Sequence, residues 1–153
     1  WVFVGMTTVD EMGNPCAVIC FANEENESLG NIAASRSLFN GASTYTIEEI
    51  DANGLARAKI VIYLAAYTDA DIMYGSRKFG LIRDTYDKGA HFVVGVNGTC
   101  SHLGATYWAK LFFIRAGWSD STTIKECVEY ADYSAYQAGT INTTYYGDVN
   151  SRV

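Results

Sequence analysis

The chain is short of the residues that usually mark a reactive or metal-binding site. It has two histidines, His91 and His102, and its four cysteines, Cys16, Cys20, Cys100 and Cys127, show no CxxC spacing. A zinc site needs four converging ligands, so this supply predicts no metal centre. No apolar run opens into GxGxxG or a P-loop, so no nucleotide cofactor is expected either. Eleven basic residues are scattered among seventeen acidic ones, for a net charge of −6. Nucleic-acid surfaces need clustered Lys and Arg, and this distribution excludes that partner. No apolar stretch approaches the roughly 20 residues of a membrane-crossing helix, so no membrane partner is expected. Cys16 and Cys20 cannot bond to each other along an extended strand, because four residues span about 13 Å. The cysteines read as free, buried thiols.

What is present is a 153-residue chain with 49% apolar and 18% charged residues. That composition suits one globular domain with its own core. Residues 59–71, KIVIYLAAYTDAD, are the segment around which the rest is organised. Ile60 to Ala65 are apolar at both parities, which predicts a strand covered on both faces in a mostly parallel sheet. Its polar exit then lies at the carboxyl edge, where open α/β sheets place ligand sites.

The flanking segments alternate in character. Residues 1–4 read as a strand ending at Gly5; because the chain starts inside it, an upstream piece is expected. Residues 9–15 have turn composition, 17–21 read as a strand near the sheet edge, and 23–27 as an acidic loop. Leu29, Ile32, Ala33 and Phe39 approximate helical spacing, predicting a helix over 28–40 that stops at Gly41. Thr46 and Glu49 read as a capping box for a short helix ending at Asn53-Gly54. Phe79, Ile82 and Tyr86 predict a helix within 74–87, closed by Lys88-Gly89 with the cation at its carboxyl end. Residues 90–96 read as a second buried strand containing a core histidine, His91. Leu103, Tyr107, Leu111 and Ile114 predict a longer helix, with Trp108, Phe112 and Phe113 in the core and Gly117 at its end. Thr123 and Glu126 form a second capping box. The helix it opens buries Ile124, Cys127, Val128, Ala131 and Ala135. Residues 139–153 read as a polar tail with a turn at Gly147-Asp148. Strands alternating with helices predict an α/β fold, a three-layer αβα arrangement.

Several of these segments together resemble one superfamily. The run Ile60-Val61-Ile62-Tyr63-Leu64-Ala65-Ala66-Tyr67-Thr68 resembles the nucleophile strand of caspase-fold (clan CD) cysteine peptidases, the group of caspases, gingipains, legumain, separase and bacterial CHAT domains. Val2-Phe3-Val4-Gly5-Met6-Thr7 resembles the strand that ends in that group's Gly-His-Gly. Gly89-Ala90 and the strand after it, Trp108, the pair Gly117-Trp118 and the dipeptide Gly147-Asp148 resemble later elements, nearest to CHAT and gingipain-like domains.

The resemblance implies a caspase-like domain over residues 1–148 with a tail at 149–153. It implies front strands lying outside this sequence, and a peptide or protein partner. A second chain or dimer contact would complete the sheet, and the resemblance favours a secreted or cell-surface bacterial setting over a cytoplasmic one. It also implies a thiolate beside an imidazole at two neighbouring strand ends. Both positions depart from the pattern: Met6 stands for the histidine and Ala66 for the cysteine, or Tyr67 if the register slips by one. Gly5, Thr7, Tyr67, Thr68, Asp69, Asn97 and Thr99 are then the pocket candidates. As written, such a domain cannot hydrolyse peptides. An engineered Cys-to-Ala change would explain Ala66 but not Met6. A flavodoxin-like or receiver-like ligand-binding domain is the alternative outside this family, kept open by Asp69. Asp69 and Asp71 would also suit a basic side chain.

Overall fold

The structure, a computed structural model, describes residues 2–4, 6–9, 15–22, 28–39, 43–137 and 141–153. Strand β1 (Val2–Val4) is followed by β2 (Met6–Val9), β3 (Pro15–Ala22), β4 (Ser28–Ala33) and β5 (Thr44–Thr46). A single 3-10 turn, Ile47–Glu49, precedes β6 (Val61–Leu64). The hairpin β7 (Asp71–Tyr74) and β8 (Arg77–Gly80) leads into α1 (Leu81–Asp87). Strand β9 (Phe92–Val96), helices α2 (His102–Ala116) and α3 (Ile124–Gln137), and strand β10 (Thr143–Gly147) complete the order. The chain is a mixed α/β fold with three helices and several small sheets.

The central sheet has the order β1-β6-β9-β10, with β6 parallel to both neighbours and β10 antiparallel to β9. Its apolar strands have no solvent face, as the double-parity run of β6 requires. Ile62, Leu64, Phe92, Val94 and Val96 pack on one side with Trp108, Phe112 and Val128 of α2 and α3. Val61, Tyr63, Ala65 and Val93 pack on the other side with Leu81 and Ile82 of α1 and with Ile19 of β3. A second sheet, β2-β3-β4-β5, is antiparallel except for its last pair.

Several expectations are corrected. Residues 28–33 form β4, not a helix, because pairing with β3 outweighs a spacing that fits either period. The expected stop at Gly41, the loop at 23–27 and most of the turn at 9–15 lie outside the described residues. Strand β3 is interior to the second sheet, between β2 and β4, instead of lying near an edge. The helix expected within 74–87 begins only at Leu81; Gly75, at φ +61, turns the preceding residues into the β7–β8 hairpin. The helix closes at Lys88 as expected, its backbone N–H donating to Asp84 O at 3.1 Å, but the Lys88 side-chain amine donates elsewhere, to the carbonyls of Glu48 and Ile50. His91 is exposed rather than in the core. The stripe expected to bury α2 is largely its outer side, with Leu103 80% and Ile114 42% exposed, and Phe113 is exposed as well. Ala105, Trp108, Leu111 and Phe112 form its buried face. Residues 143–147, read as tail, form β10. Beyond it the chain still packs on α3's start, where Ile124 N–H donates to Ser151 O at 2.8 Å.

Other expectations agree with the structure. Every residue of the α3 stripe is buried. The Thr123–Glu126 box closes in both directions, at 2.8 Å and 3.2 Å. Cys100 and Cys127 are free thiols, though only Cys127 is buried as expected.

Trp108, fully buried, donates its indole N–H to Asp132 at 2.7 Å, and the Thr143 hydroxyl reaches the same carboxylate at 2.8 and 2.9 Å. One carboxylate thus ties α2, α3 and β10. Burial pushes its pKa up, against the pull of Trp108 and Thr143, with Glu129 adding to the rise. The folded chain therefore holds this proton more tightly than the unfolded chain. Stability falls as pH rises from the unfolded value of ~3.9 through the raised folded one. Asp132→Asn removes that slope, so its stability relative to the parent should rise between about pH 3.5 and 7. Urea unfolding at both pH values checks this; a relative stability that falls over the interval contradicts it.

Candidate functional site at the carboxyl edge

Strands β1, β6 and β9 point the same way, so their carboxyl ends open on one edge. The β1–β6 register is unshifted, Val2 with Ile62, Phe3 with Tyr63 and Val4 with Leu64. Counting two residues beyond the last pair reaches Met6 and Ala66. Met6 and Thr7 open β2, where Met6 pairs with Cys20. Their side chains, and all of Gly5, lie outside the described residues. Ala66 is half-buried in the turn that leaves β6.

That turn is held by backbone and by one hydroxyl. Tyr67 takes a left-handed conformation, φ +57, unusual for a residue with a Cβ. Its N–H donates to Gly98 O at 2.8 Å, and Asp69 N–H donates to Val96 O at 3.3 Å. Thr68 is fully buried. Its hydroxyl shares a proton between the carbonyls of Tyr63 and Ala65, both at 3.0 Å, and accepts the Val96 N–H at 2.8 Å. The turn lies so close to β9 that a Cβ at Gly95 would stand 3.1 Å from the Asp69 nitrogen. Gly95 is thus a close-approach glycine.

Asp69 sits beside this turn. Thr144 of β10 reaches its carboxylate at 3.4 Å, and burial raises its pKa. Asp71 is already occupied, paired with Lys78 at 2.8 Å and Arg83 at 3.0 Å. It binds basic side chains of its own chain. Asn97 and Thr99 are exposed in the loop after β9, whose backbone is anchored by Asn97 N–H to Asn142 O at 2.8 Å. The edge therefore gathers Ala66, Tyr67, Thr68 and Asp69 against residues 96–98, while Thr99 stands further out on the path to α2.

No replacement dyad forms there. Cys100 contacts its neighbour's carbonyl, Ser101 O, at 3.4 Å, and burial pushes its thiol up, away from the thiolate a nucleophile needs. His102 is exposed at the start of α2, with no hydrogen bond to Cys100 among the described residues. Nor do the described residues hold any group of three His, Cys, Asp or Glu suited to a metal ion. Among the described residues the edge carries exposed hydroxyls and a carboxylate of raised pKa, while the amides of Tyr67, Asp69, Val96 and Asn97 are spent within the turn and its anchors.

Thr68 is the residue that reading the sequence missed as a structural tie; a small polar residue four positions past a doubly buried strand is its signal. Thr68→Val keeps the shape and removes the hydroxyl, leaving the buried Val96 N–H unpaired. The loss should be about 1–3 kcal/mol. Guanidinium unfolding measures it, and a change below about 0.5 kcal/mol would show that the edge is held by other contacts.

Among comparisons with known proteins, no family model matches the chain and no curated protein matches it. A solved structure of separase from Saccharomyces cerevisiae, in complex with securin, is similar at 12% identity with a TM-score of 0.44. The similarity covers 73% of this chain but only 10% of that one, so this chain spans about a tenth of that protein. A likeness this weak fixes neither a family nor an activity.

Proposed function

We propose that this chain is a caspase-like domain of cysteine-peptidase descent that has lost its dyad and holds a peptide or protein partner at its carboxyl edge. The reading rests on the parallel, unshifted pairing of β1 with β6, because counting on from Val4 and Leu64 arrives at Met6 and Ala66 together. A peptidase of this kind presents its imidazole and thiol from two such adjacent strand ends. Methionine and alanine can neither move a proton nor attack a carbonyl. Loss of a nucleophile costs on the order of 10⁶ in turnover, so binding is the capacity that remains.

In this reading the central sheet and its two coverings are the three-layer core, nearest in kind to CHAT and gingipain-like domains. Ala66, Tyr67, Asp69, Asn97 and Thr99 then line the partner's path over the buried Thr68, and Gly5, Met6 and Thr7 are the residues proposed to face them. β1 is the outer strand of its sheet among the described residues. An outer strand has unpaired backbone groups, and a further segment or a second chain is the natural cover for them.

Rebuilding the dyad tests the register. Ala66→Cys alone should alkylate with iodoacetamide at an ordinary thiol rate. Adding Met6→His should lower the thiol pKa and raise labelling at residue 66 about tenfold at pH 6.5–7. Peptide mapping by mass spectrometry locates the label. Equal rates with and without Met6→His, or first labelling at Cys100, would overturn the reading.

A further inference from the structure

We propose a second binding site, separate from the carboxyl edge: a cavity between β5, the 3-10 turn and β6 that takes a neutral, mostly apolar small molecule carrying one hydroxyl or carbonyl group. The cavity has a volume of about 440 Å³, within the range of ordinary ligand pockets. It lies on the sheet face opposite α2 and α3, where Val61 and Tyr63 of β6 form part of its wall. Ile32, Ile47, Ile50 and Leu55 make the remaining wall apolar.

Two polar features give the cavity its chemistry. The first is Thr46, which lines it and is 4% exposed. Its hydroxyl has no hydrogen-bond partner, and no other buried side-chain polar atom among the described residues shares that condition. The capping box expected with Glu49 does not form. Arg36 holds both Glu49 oxygens, at 2.6 and 2.9 Å, and with help from the nearby Thr46 hydroxyl keeps that carboxyl down at about 2, yet the hydroxyl itself makes no bond of normal geometry. A buried hydroxyl without a protein partner is costly, and a ligand group bonded to it would remove that cost.

The second feature is the Arg36–Glu49 pair itself, about half-exposed, which lines the cavity's outer part. Because the pair is internally neutralised, a charged ligand would have to break a bidentate contact to gain from either partner. A neutral ligand pays no such penalty. The apolar wall takes its body and the Thr46 hydroxyl, able to donate or accept, takes its polar group.

The test uses 3-phenylpropan-1-ol and propylbenzene, which share a body and differ by one hydroxyl. Binding is read from the methyl NMR signals of Ile47, Ile50 and Val61. Both probes should shift these methyls at millimolar concentration. Thr46→Val should weaken the alcohol about tenfold and leave the hydrocarbon within about twofold. The same variant without probe should melt at a higher temperature, because an unsatisfied hydroxyl is replaced by an isosteric methyl. Ile50→Trp, confirmed folded by circular dichroism, should exclude both probes. Methyls that move for neither probe, equal losses for both in Thr46→Val, a lower melting temperature in that variant, or undiminished binding in Ile50→Trp would each overturn the site.

Discussion

Thr68 decides the geometry of the carboxyl edge. Its side chain turns back under the strand it has just left and bonds the carbonyls of Tyr63 and Ala65. The same oxygen accepts the Val96 amide as β9 ends. Two parallel strands are thus closed at one level by a single buried hydroxyl, where each bond is stronger and each loss dearer than at the surface. The left-handed Tyr67 is the consequence: the chain must reverse within one residue to bring Thr68 under the strand. The bare backbone at Gly95 is the other consequence, since a side chain there would meet the turn.

A rigid exit has value only if something must be held in place. Residue 66 is carried between a buried strand end and a strained, anchored neighbour, so its position is set without any bond of its own. Such preorganisation suits a reacting group and equally a surface that must hold side chains in fixed positions. The carboxylates nearby have been put to structural use: Asp69 faces Thr144, and Asp71 holds the hairpin through Lys78 and Arg83. The features that remain uncommitted at the edge are exposed ones, Tyr67, Asn97 and Thr99.

How much of this was legible depended on whether the determining contact was local. β6 was legible because a doubly covered strand must be apolar at both parities. α3 was legible because one of its faces meets solvent and the other the sheet. The face of α2 was not, since apolar residues surround it: Leu103 and Ile114 outside, Trp108 and Phe112 inside. β4 and the β7–β8 hairpin were misread because Leu29 and Ile32, or Phe79 and Ile82, fit a helix as well as a strand, and pairing with distant residues chose. β10 escaped notice because Thr143 to Tyr146 are only half-buried and look like surface. At the edge, the polar break after Ala65 pointed to the right place, but the bond from Thr68 to a strand 28 residues later could not be read from the segment itself.

Thr46 and Thr68 make the same point from opposite sides. Both are buried threonines beside β-structure, and by composition alone they are equivalent. Thr68 finds three backbone partners and becomes part of the frame. Thr46 does not accept the Glu49 N–H of the expected capping box, and Arg36, ten residues upstream, holds both oxygens of the Glu49 carboxylate. An ion pair about half in solvent contributes little to stability by itself, on the order of 0–1 kcal/mol. Its larger effect is to neutralise the cavity's outer part, while the Thr46 hydroxyl on the apolar wall is left without a bond of normal geometry. Burial without satisfaction is a standing cost in a fold with only a few kcal/mol to spare, and a bound group is the route to relief that keeps the residue polar.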